Sequence, residues 1–204
     1  MSTRTLTATL PSDTLYVSGT VNGVDATWTN TEGNTWQTVA ERDARDVYVV
    51  ALTIINQSGA VTETTLTLYY GLHLVTDRTA ADVYAGNEKG TYRASDLNRV
   101  GAAMNYVADR LRADGYDPHI SPKTDWMETD WPTVSTMTRY VADLVELRGQ
   151  FEQAQKTPPV PPDMKNLTWQ EANDIERILQ DVDALLTNIT AAWFYSGELY
   201  SGEV

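Results

Sequence analysis

The sequence contains no cysteine, which excludes disulfide scaffolds, thiolate nucleophiles and Cys-ligated zinc or iron–sulfur sites. It has only two histidines, His73 and His119, and no Glu-x-x-His or His-x-x-x-His motif typical of a hydrolytic metal centre. Walker and Gly-x-Gly-x-x-Gly phosphate loops and a Gly-x-Ser-x-Gly nucleophile elbow are also absent. We therefore expect no metal, no cofactor and no enzymatic activity.

Basic residues are scarce, with 15 Lys and Arg against 28 Asp and Glu and a net charge of -13. Such a chain repels phosphate backbones and anionic lipid, so we expect neither nucleic acid nor a membrane surface as a partner. No run approaches the roughly 20 apolar residues that span a bilayer, and the opening Met-Ser-Thr-Arg-Thr lacks the apolar core of a secretory signal. We expect a chain without a signal peptide, made in the cytoplasm.

Residues 1–76 are rich in Thr, Val, Tyr and Trp, and apolar and polar positions alternate along them. Alternation is typical of half-buried strands, and Asn22-Gly23, Glu32-Gly33-Asn34 and Ser58-Gly59 supply turn residues between them. The pattern predicts a domain formed by an antiparallel β-sandwich. The predicted strands cover residues 3–10, 14–21, 26–29, 34–39, 46–56 and 60–70.

Beyond residue 76 the apolar period becomes helical, which predicts a linker with a short helix over 77–90 and a helical domain over 91–204. This domain contains about three amphipathic helices. The first has Ser95 as its N-cap and ends near Gly115, the second covers 134–153, and the third follows a capping box of Thr168 and Glu171. The proline-rich residues 156–162 predict a semi-rigid extended spacer before the third helix.

The third helix carries an apolar seam at alternating spacings of three and four residues. Two interpretations fit this spacing. The seam can be a coiled-coil face that joins copies of the chain or docks a partner, or it can pack on the first two helices within one chain. The seam consists of Ala172, Ile175, Leu179, Val182, Leu186, Ile189 and Trp193.

The carboxyl end repeats Tyr-Ser-Gly-Glu at residues 195–198 and 200–203. We interpret residues 195–204 as an aromatic arm in which Tyr195, Leu199 and Tyr200 dock. The arm can fold back along its own helices or add to a neighbouring subunit, and the sequence favours neither.

The loop between the first two long helices carries Trp126 and Trp131, whose flat rings could stack on a host surface glycan. Asp125, Glu128 and Asp130 accompany them, and paired carboxylates can hydrolyse glycosides when a cleft holds them at the right separation. Solvated loop acids are the commoner explanation for such a group, so hydrolysis ranks last among the hypotheses.

Residues 46–60, Asp-Val-Tyr-Val-Val-Ala-Leu-Thr-Ile-Ile-Asn-Gln-Ser-Gly-Ala, resemble the closing hairpin of immunoglobulin-like modules of bacterial surface proteins and phage virions. The resemblance implies an immunoglobulin-like sandwich at the amino terminus. It implies no reaction, because this fold has many roles.

Several further segments together resemble a family of tail-region structural proteins of phages and prophages of gut Firmicutes. The segments are residues 69–79 (YYGLHLVTDRT), 92–100 (YRASDLNRV), 123–126 (KTDW), 132–133 (PT), 167–176 (LTWQEANDIE) and 192–198 (AWFYSGE). The resemblance implies a virion component of the tail, baseplate or fibre that acts in assembly or host attachment through protein–protein contacts. Its implied partners are other virion proteins and further copies of itself, as a homo-oligomer. The alternatives are a glycan-recognising receptor-binding module and a capsid decoration protein.

Overall fold

The computed structural model describes residues 2–151 and 156–198, with side chains as far as residue 192. The chain groups into two compact units. The β unit consists of Met1–His73, Tyr92–Ala102 and Lys123–Pro132, and the helical unit consists of Leu74–Thr91, Ala103–Pro122 and Thr133–Val204. Two segments of the predicted helical half thus belong to the β unit. The predicted domains 1–76, 77–90 and 91–204 are each continuous in sequence, and that division of the chain stays a prediction.

Seven strands form two antiparallel sheets in the described part of the β unit. One sheet has the order β1-β5-β4 and the other the order β3-β2-β6-β7. The strands are β1 (Thr3–Thr9), β2 (Thr14–Val21), β3 (Val24–Thr27), β4 (Thr29–Glu32), β5 (Thr35–Glu41), β6 (Val47–Asn56) and β7 (Val61–Tyr69).

The two sheets pack face to face, because the inward side chains of both belong to one hydrophobic cluster. Leu6 and Trp36 come from the three-stranded sheet, and Val17, Tyr48 and Leu66 come from the four-stranded sheet. A sheet-on-sheet β module with a separate helical portion therefore agrees with the coarse prediction of β followed by α.

Strand β4 is the element of the β unit that the sequence analysis missed, and the predicted strand 26–29 joins parts of two strands. All four residues of β4 are exposed, so no apolar alternation marks it. Trp28 lies between β3 and β4 and is buried in the shared core. The chain therefore passes from one sheet to the other at this tryptophan.

Four helices follow in the described residues, namely α1 (Ala80–Ala85), α2 (Ala94–Ala113), α3 (Val134–Gly149) and α4 (Trp169–Glu198). The short α1 falls in the predicted linker, and the other three correspond to the predicted amphipathic helices. Helix α3 ends four residues before the predicted limit of 153, at Gly149. The backbone of α4 is helical to Glu198, so the predicted arm 195–204 begins inside this helix rather than beyond it.

The capping box before α4 is confirmed by its hydrogen bonds. The Glu171 N–H donates to Thr168 Oγ1 at 3.2 Å, and the Thr168 N–H donates to Glu171 Oε2 at 2.8 Å. The prediction that Ser95 caps α2 is wrong, because the helix already includes Ala94. The Arg93 N–H instead donates to Asp96 Oδ2 at 2.9 Å. The Asp96 side chain therefore provides a hydrogen-bond acceptor for the backbone N–H just before the helix.

Residues 123–132 attach to the β unit along the edges of both sheets. Met127 is buried in the sandwich core, and the Glu128 N–H donates to the Thr65 carbonyl on edge strand β7 at 3.3 Å. The Thr64 and Thr129 hydroxyls lie 3.4 Å apart. The loop predicted between two helices is therefore a cover for a sheet edge, which protects that edge against unwanted pairing.

The proline-rich residues 156–162 contain no helix and lie within the helical unit. Arg148 on α3 donates to the carbonyls of Pro158 at 2.8 Å and Thr157 at 3.3 Å, and Pro161 is buried. These contacts attach the stretch to the unit's own helix. It is therefore a packed connection between α3 and α4 within this unit.

Candidate functional site

The acidic loop residues do not converge as a free carboxylate pair. Lys123 Nζ lies 3.0 Å from Asp125 Oδ1 and 3.1 Å from Asp130 Oδ2, so a single ammonium bridges both acids. The Thr9 N–H at the end of β1 donates to Asp125 Oδ2 at 2.5 Å. Glu128 is exposed. Of the three acids considered for glycoside hydrolysis, Asp125 therefore holds the loop to strand β1, and Asp130 holds the loop internally through Lys123.

Asn98 on α2 forms the second anchor of this loop, and we call its contact with Trp126 the Asn98 clamp. Asn98 Nδ2 donates to the Trp126 carbonyl at 2.9 Å, and the Trp126 N–H donates to Asn98 Oδ1 at 2.6 Å. One turn along the helix, a Cβ added to Gly101 would lie 2.8 Å from the Lys123 carbonyl oxygen. The absence of a side chain at Gly101 therefore lets the loop backbone approach the helix.

The two candidate glycan-contact tryptophans differ in exposure. Trp126 is 5% exposed, and Lys123 Nζ lies 5.2 Å from its ring centroid, so this ring has no free face for a sugar. Trp131 is 89% exposed. Of the pair, only Trp131 is accessible for stacking.

Arg99 on α2 contacts the chain just beyond the last strand, β7. Its Nη2 lies 2.7 Å from Asp96 Oδ1, and its Nη1 donates to the His73 carbonyl at 3.3 Å. His73 Nε2 is 3.0 Å from the Tyr70 carbonyl oxygen. The imidazole and the guanidinium thus hold backbone in the β unit.

A buried ion pair, which we call the Arg78 clamp, holds the helical unit. Arg78 Nη1 lies 2.8 Å from Glu176 Oε1, and the two side chains are 3% and 0% exposed. Glu176 Oε2 accepts the Val75 N–H at 2.5 Å. Asn173 donates to the Arg78 carbonyl at 2.9 Å and accepts the Arg78 N–H at 3.0 Å. The segment before α1 is therefore attached to the first turns of α4 by charged and neutral hydrogen bonds.

The clamp residues Arg78, Asn98, Asn173 and Glu176 were not predicted from the sequence. They lie in residues 69–79, 92–100 and 167–176, which are segments of the predicted family resemblance. One signal in the sequence could have indicated a buried charge. Glu176 directly follows the seam residue Ile175, so it lies beside the apolar face of the helix.

The predicted seam of α4 packs within the helical unit. Five of its seven residues are buried in the single chain: Ala172, Ile175, Leu179, Val182 and Leu186. Ile189 is half-buried, and the side chain of Trp193 lies outside the described residues. This burial within the single chain is what the intramolecular interpretation expects, and a role of the seam in joining copies of the chain stays a prediction.

The predicted docking arm lies largely outside the described residues. Tyr195 belongs to α4 by its backbone, and its side chain is outside that part, as are Leu199 and Tyr200 entirely. The prediction that these residues dock in cis or in trans stays a prediction.

An apolar patch, not predicted from the sequence, lies on the outer face of the four-stranded sheet. Tyr16 on β2 is opposite Ile55 on β6, which is in turn opposite Val61 on β7. The register shifts between Thr14 and Tyr16, and this β-bulge leaves Leu15 exposed as well. Leu15, Tyr16 and Val61 are 65%, 56% and 60% exposed. We call these three residues with Ile55 the Tyr16 patch.

The surface around the patch lacks positive charge. No Lys or Arg occurs between Arg4 and Arg42 or between Arg45 and Arg78, so none lies on the four strands β2, β3, β6 and β7. Their carboxylates are Asp25 and Glu63. Elsewhere the outer face carries mainly Thr, Ser and Ala side chains, but also Val49, which is opposite Thr67 and 50% exposed. Exposed apolar side chains grouped on one face are typical of contact surfaces between proteins.

Comparison with known protein families, curated proteins and solved structures finds no match for this chain. In residues 2–151 and 156–198, no helix is both long and apolar enough to cross a membrane. No group of three or more His, Asp or Glu suited to a metal ion occurs within the same described portion.

Proposed function

We propose that this protein is a non-enzymatic structural component of a phage or prophage virion, in the tail, baseplate or fibre region. It acts in assembly or host attachment through protein–protein contacts, and its β unit is an immunoglobulin-like module. The resemblance of residues 69–79, 92–100 and 167–176 to the tail-region family supports this proposal. Those segments contain the Arg78 and Asn98 clamps, so the resemblance concerns the parts of the chain that set its architecture.

The Tyr16 patch is the single observation that carries the proposal. Leu15 would point toward the sandwich interior with Val17 if the alternation of β2 continued, and the bulge exposes it instead. A large exposed aliphatic side chain contributes little to the stability of the β unit, whereas its burial against another protein contributes about 25 cal/mol per Å² of apolar surface. The apolar side chains of the patch therefore suit binding to another protein better than stabilising the β unit itself.

The partner of the patch in this proposal is another protein of the same virion. Virion parts are repeated, so the chain is also expected to associate with itself as a homo-oligomer. Size-exclusion chromatography with light scattering measures this expectation directly. A chain that stayed monomeric at high concentration and bound no virion protein would contradict it.

Purified particles test the location. Particles are collected from the phage or prophage that encodes the chain, separated into tails and capsids, and analysed by mass spectrometry and by immunogold labelling with antibody against the chain. We expect the chain in the tail fraction, with gold on tails, baseplates or fibres. Gold on capsids would support a decoration protein in place of a tail component, and absence from particles would overturn the proposal.

The exposure of Trp131 favours a second candidate function, a receptor-binding module that recognises a host surface glycan. A glycan array compares the native chain with Trp131→Ala, and Trp126→Ala is unsuitable because that ring is buried. Binding that disappears in Trp131→Ala supports the receptor-binding function. Absent binding, or binding that this change leaves intact, removes it.

A further inference from the structure

A cleft of about 400 Å³ opens between the β2–β3 hairpin and the last residues of β5. Val21, Val24, Ala26, Val39 and Ala40 form the apolar half of its lining, and the other half is polar. Val24 is 70% exposed and Val39 is 62% exposed, so these walls are accessible from solvent. The volume lies in the range of sites that take a single side chain or a small ligand.

The charges at the cleft are unbalanced. Asp25 and Glu41 line it, and neither forms an ion pair with any residue in the described part of the chain. Arg42 also lines the cleft, but its Nε and Nη2 donate to the two carboxylate oxygens of Asp46 at 3.2 and 2.9 Å. Asp43 is a third carboxylate of the lining, so three acids and one guanidinium line the cleft and its net charge is negative.

Apolar walls with carboxylates beside them complement a side chain that combines an alkyl stem with a positive head. Lysine has this chemistry, since its methylene chain packs on apolar surface while its ammonium group meets a carboxylate. Anionic groups are disfavoured by Asp25 and Glu41, and an uncharged alkyl chain leaves both carboxylates without a partner.

The neighbouring strand indicates that this lysine belongs to a protein rather than to a free amine. Strand β3 pairs with β2 alone, so it is an edge strand of the four-stranded sheet. An extended segment of a partner can hydrogen-bond to such an edge and deliver a side chain at a fixed position. We propose that the cleft binds a lysine side chain presented by an extended segment of a partner protein.

The test is a titration of the full ¹⁵N-labelled chain, followed by amide chemical shifts, with the peptide acetyl-Ser-Val-Lys-Val-Ser-amide. Matched peptides carry norleucine or glutamate in place of lysine. We expect saturable shifts confined to residues 21–26 and 39–43 with the lysine peptide, and affinity that falls as salt is added. Norleucine should bind about fivefold more weakly, and the glutamate peptide should produce no saturable shift.

Variants of the chain separate the cleft from general acidity. Asp25→Asn and Glu41→Gln should each weaken the lysine peptide about threefold to fivefold. Glu63→Gln, on the exposed part of β7, removes one negative charge elsewhere in the unit and should leave affinity unchanged. All three positions are exposed, so the spectra should retain the dispersion of the folded chain.

Equal affinity for the lysine and norleucine peptides would overturn the inference, as would shifts outside the cleft or an equal effect of Glu63→Gln. No saturable shift up to the solubility limit of the lysine peptide would also overturn it. The cleft and the Tyr16 patch share no residue, so this result and the particle experiment can fail separately.

Discussion

Arg78 and Glu176 form an ion pair of 2.8 Å between Nη1 and Oε1, and both side chains are buried. Removing one charge of a buried ion pair costs about 3 kcal/mol of unfolding free energy in comparable pairs. We expect Glu176→Gln to destabilise the protein by about that amount in urea unfolding. Glu88→Gln, at an exposed loop position of the helical unit, is the matched control and should change stability by less than about 0.5 kcal/mol. Equal effects of the two changes would show that the pair is not a clamp.

Asn98 supports the loop from Lys123 by two hydrogen bonds to the Trp126 backbone, at 2.9 and 2.6 Å. Asn98→Ala leaves a buried N–H and a buried carbonyl of Trp126 unsatisfied, so we expect a loss of about 2 to 3 kcal/mol. Asn105→Ala, on the same helix and half-buried, should stay within about 0.5 kcal/mol of the native chain. Urea unfolding followed by tryptophan fluorescence measures both. A cost below about 1 kcal/mol for Asn98→Ala would contradict the role assigned to the clamp.

Substitution of glycine by alanine should have opposite effects on stability at two helical positions, Gly101 and Gly149. Alanine is favoured over glycine by about 1 kcal/mol in a helix interior. At Gly101 an added Cβ would lie 2.8 Å from the Lys123 carbonyl oxygen, so Gly101→Ala should destabilise despite its better propensity. At Gly149 an added Cβ has no neighbour within 4 Å, so Gly149→Ala should be neutral or stabilising. Thermal unfolding of the two variants compares them. A Gly101→Ala chain at least as stable as the native one would contradict the close approach.

The Asp46 carboxylate should stabilise the folded protein by an amount that depends on pH. Hydrogen bonds from Arg42, reinforced by hydrogen bonds and charge from Arg4, lower the pKa of Asp46 to about 2, against an opposing effect of desolvation. A carboxylate whose pKa is lower in the folded state stabilises the protein above its unfolded pKa of about 4 and loses that contribution as pH falls toward 2. Asp46→Asn removes the charge and keeps a residue that tolerates the positive φ of 52°.

Unfolding free energies of the native chain and Asp46→Asn at a series of pH values measure this contribution. We expect the native chain to be the more stable at neutral pH and the difference to shrink between about pH 4 and pH 2. A difference that stays constant across this interval would contradict a charge-dependent role for Asp46.

Local patterns made much of the fold predictable from the sequence. The capping box of Thr168 and Glu171 lies within four consecutive residues, so it could be identified before any coordinates. The alternating strands β1, β2, β6 and β7 lie close to their predicted positions because each buries one face. Strand β4 was missed because both of its faces are exposed.

The contacts that define the candidate sites could not be predicted, because they join distant residues. Asn98 and Trp126 are 28 residues apart, and Asn173 and Arg78 are 95 apart. No local period indicates such a pair. The bulge that exposes Leu15 also depends on a long-range contact, the pairing of β2 with β6. It turns the Leu15 side chain outward, although the alternation of the sequence predicts that this side chain points inward. The exposure of Trp131 and the burial of Trp126 follow from the same long-range attachment of the loop.

The contact role of the Tyr16 patch is tested most directly by the incorporation of patch variants into particles. Under the proposed function, the phage or prophage that encodes the chain is supplied with the native chain, with a Leu15→Lys and Tyr16→Lys double variant, or with Val145→Lys as a control at an exposed apolar site of α3. Circular dichroism first establishes that each variant folds, which we expect because these side chains are exposed.

Quantitative mass spectrometry of purified tails then gives the number of copies incorporated for each variant. We predict at least about a tenfold loss for the double variant and native incorporation for Val145→Lys, since two charges placed in a buried contact cost more than about 1.4 kcal/mol. Native copy numbers for the folded double variant would contradict the account.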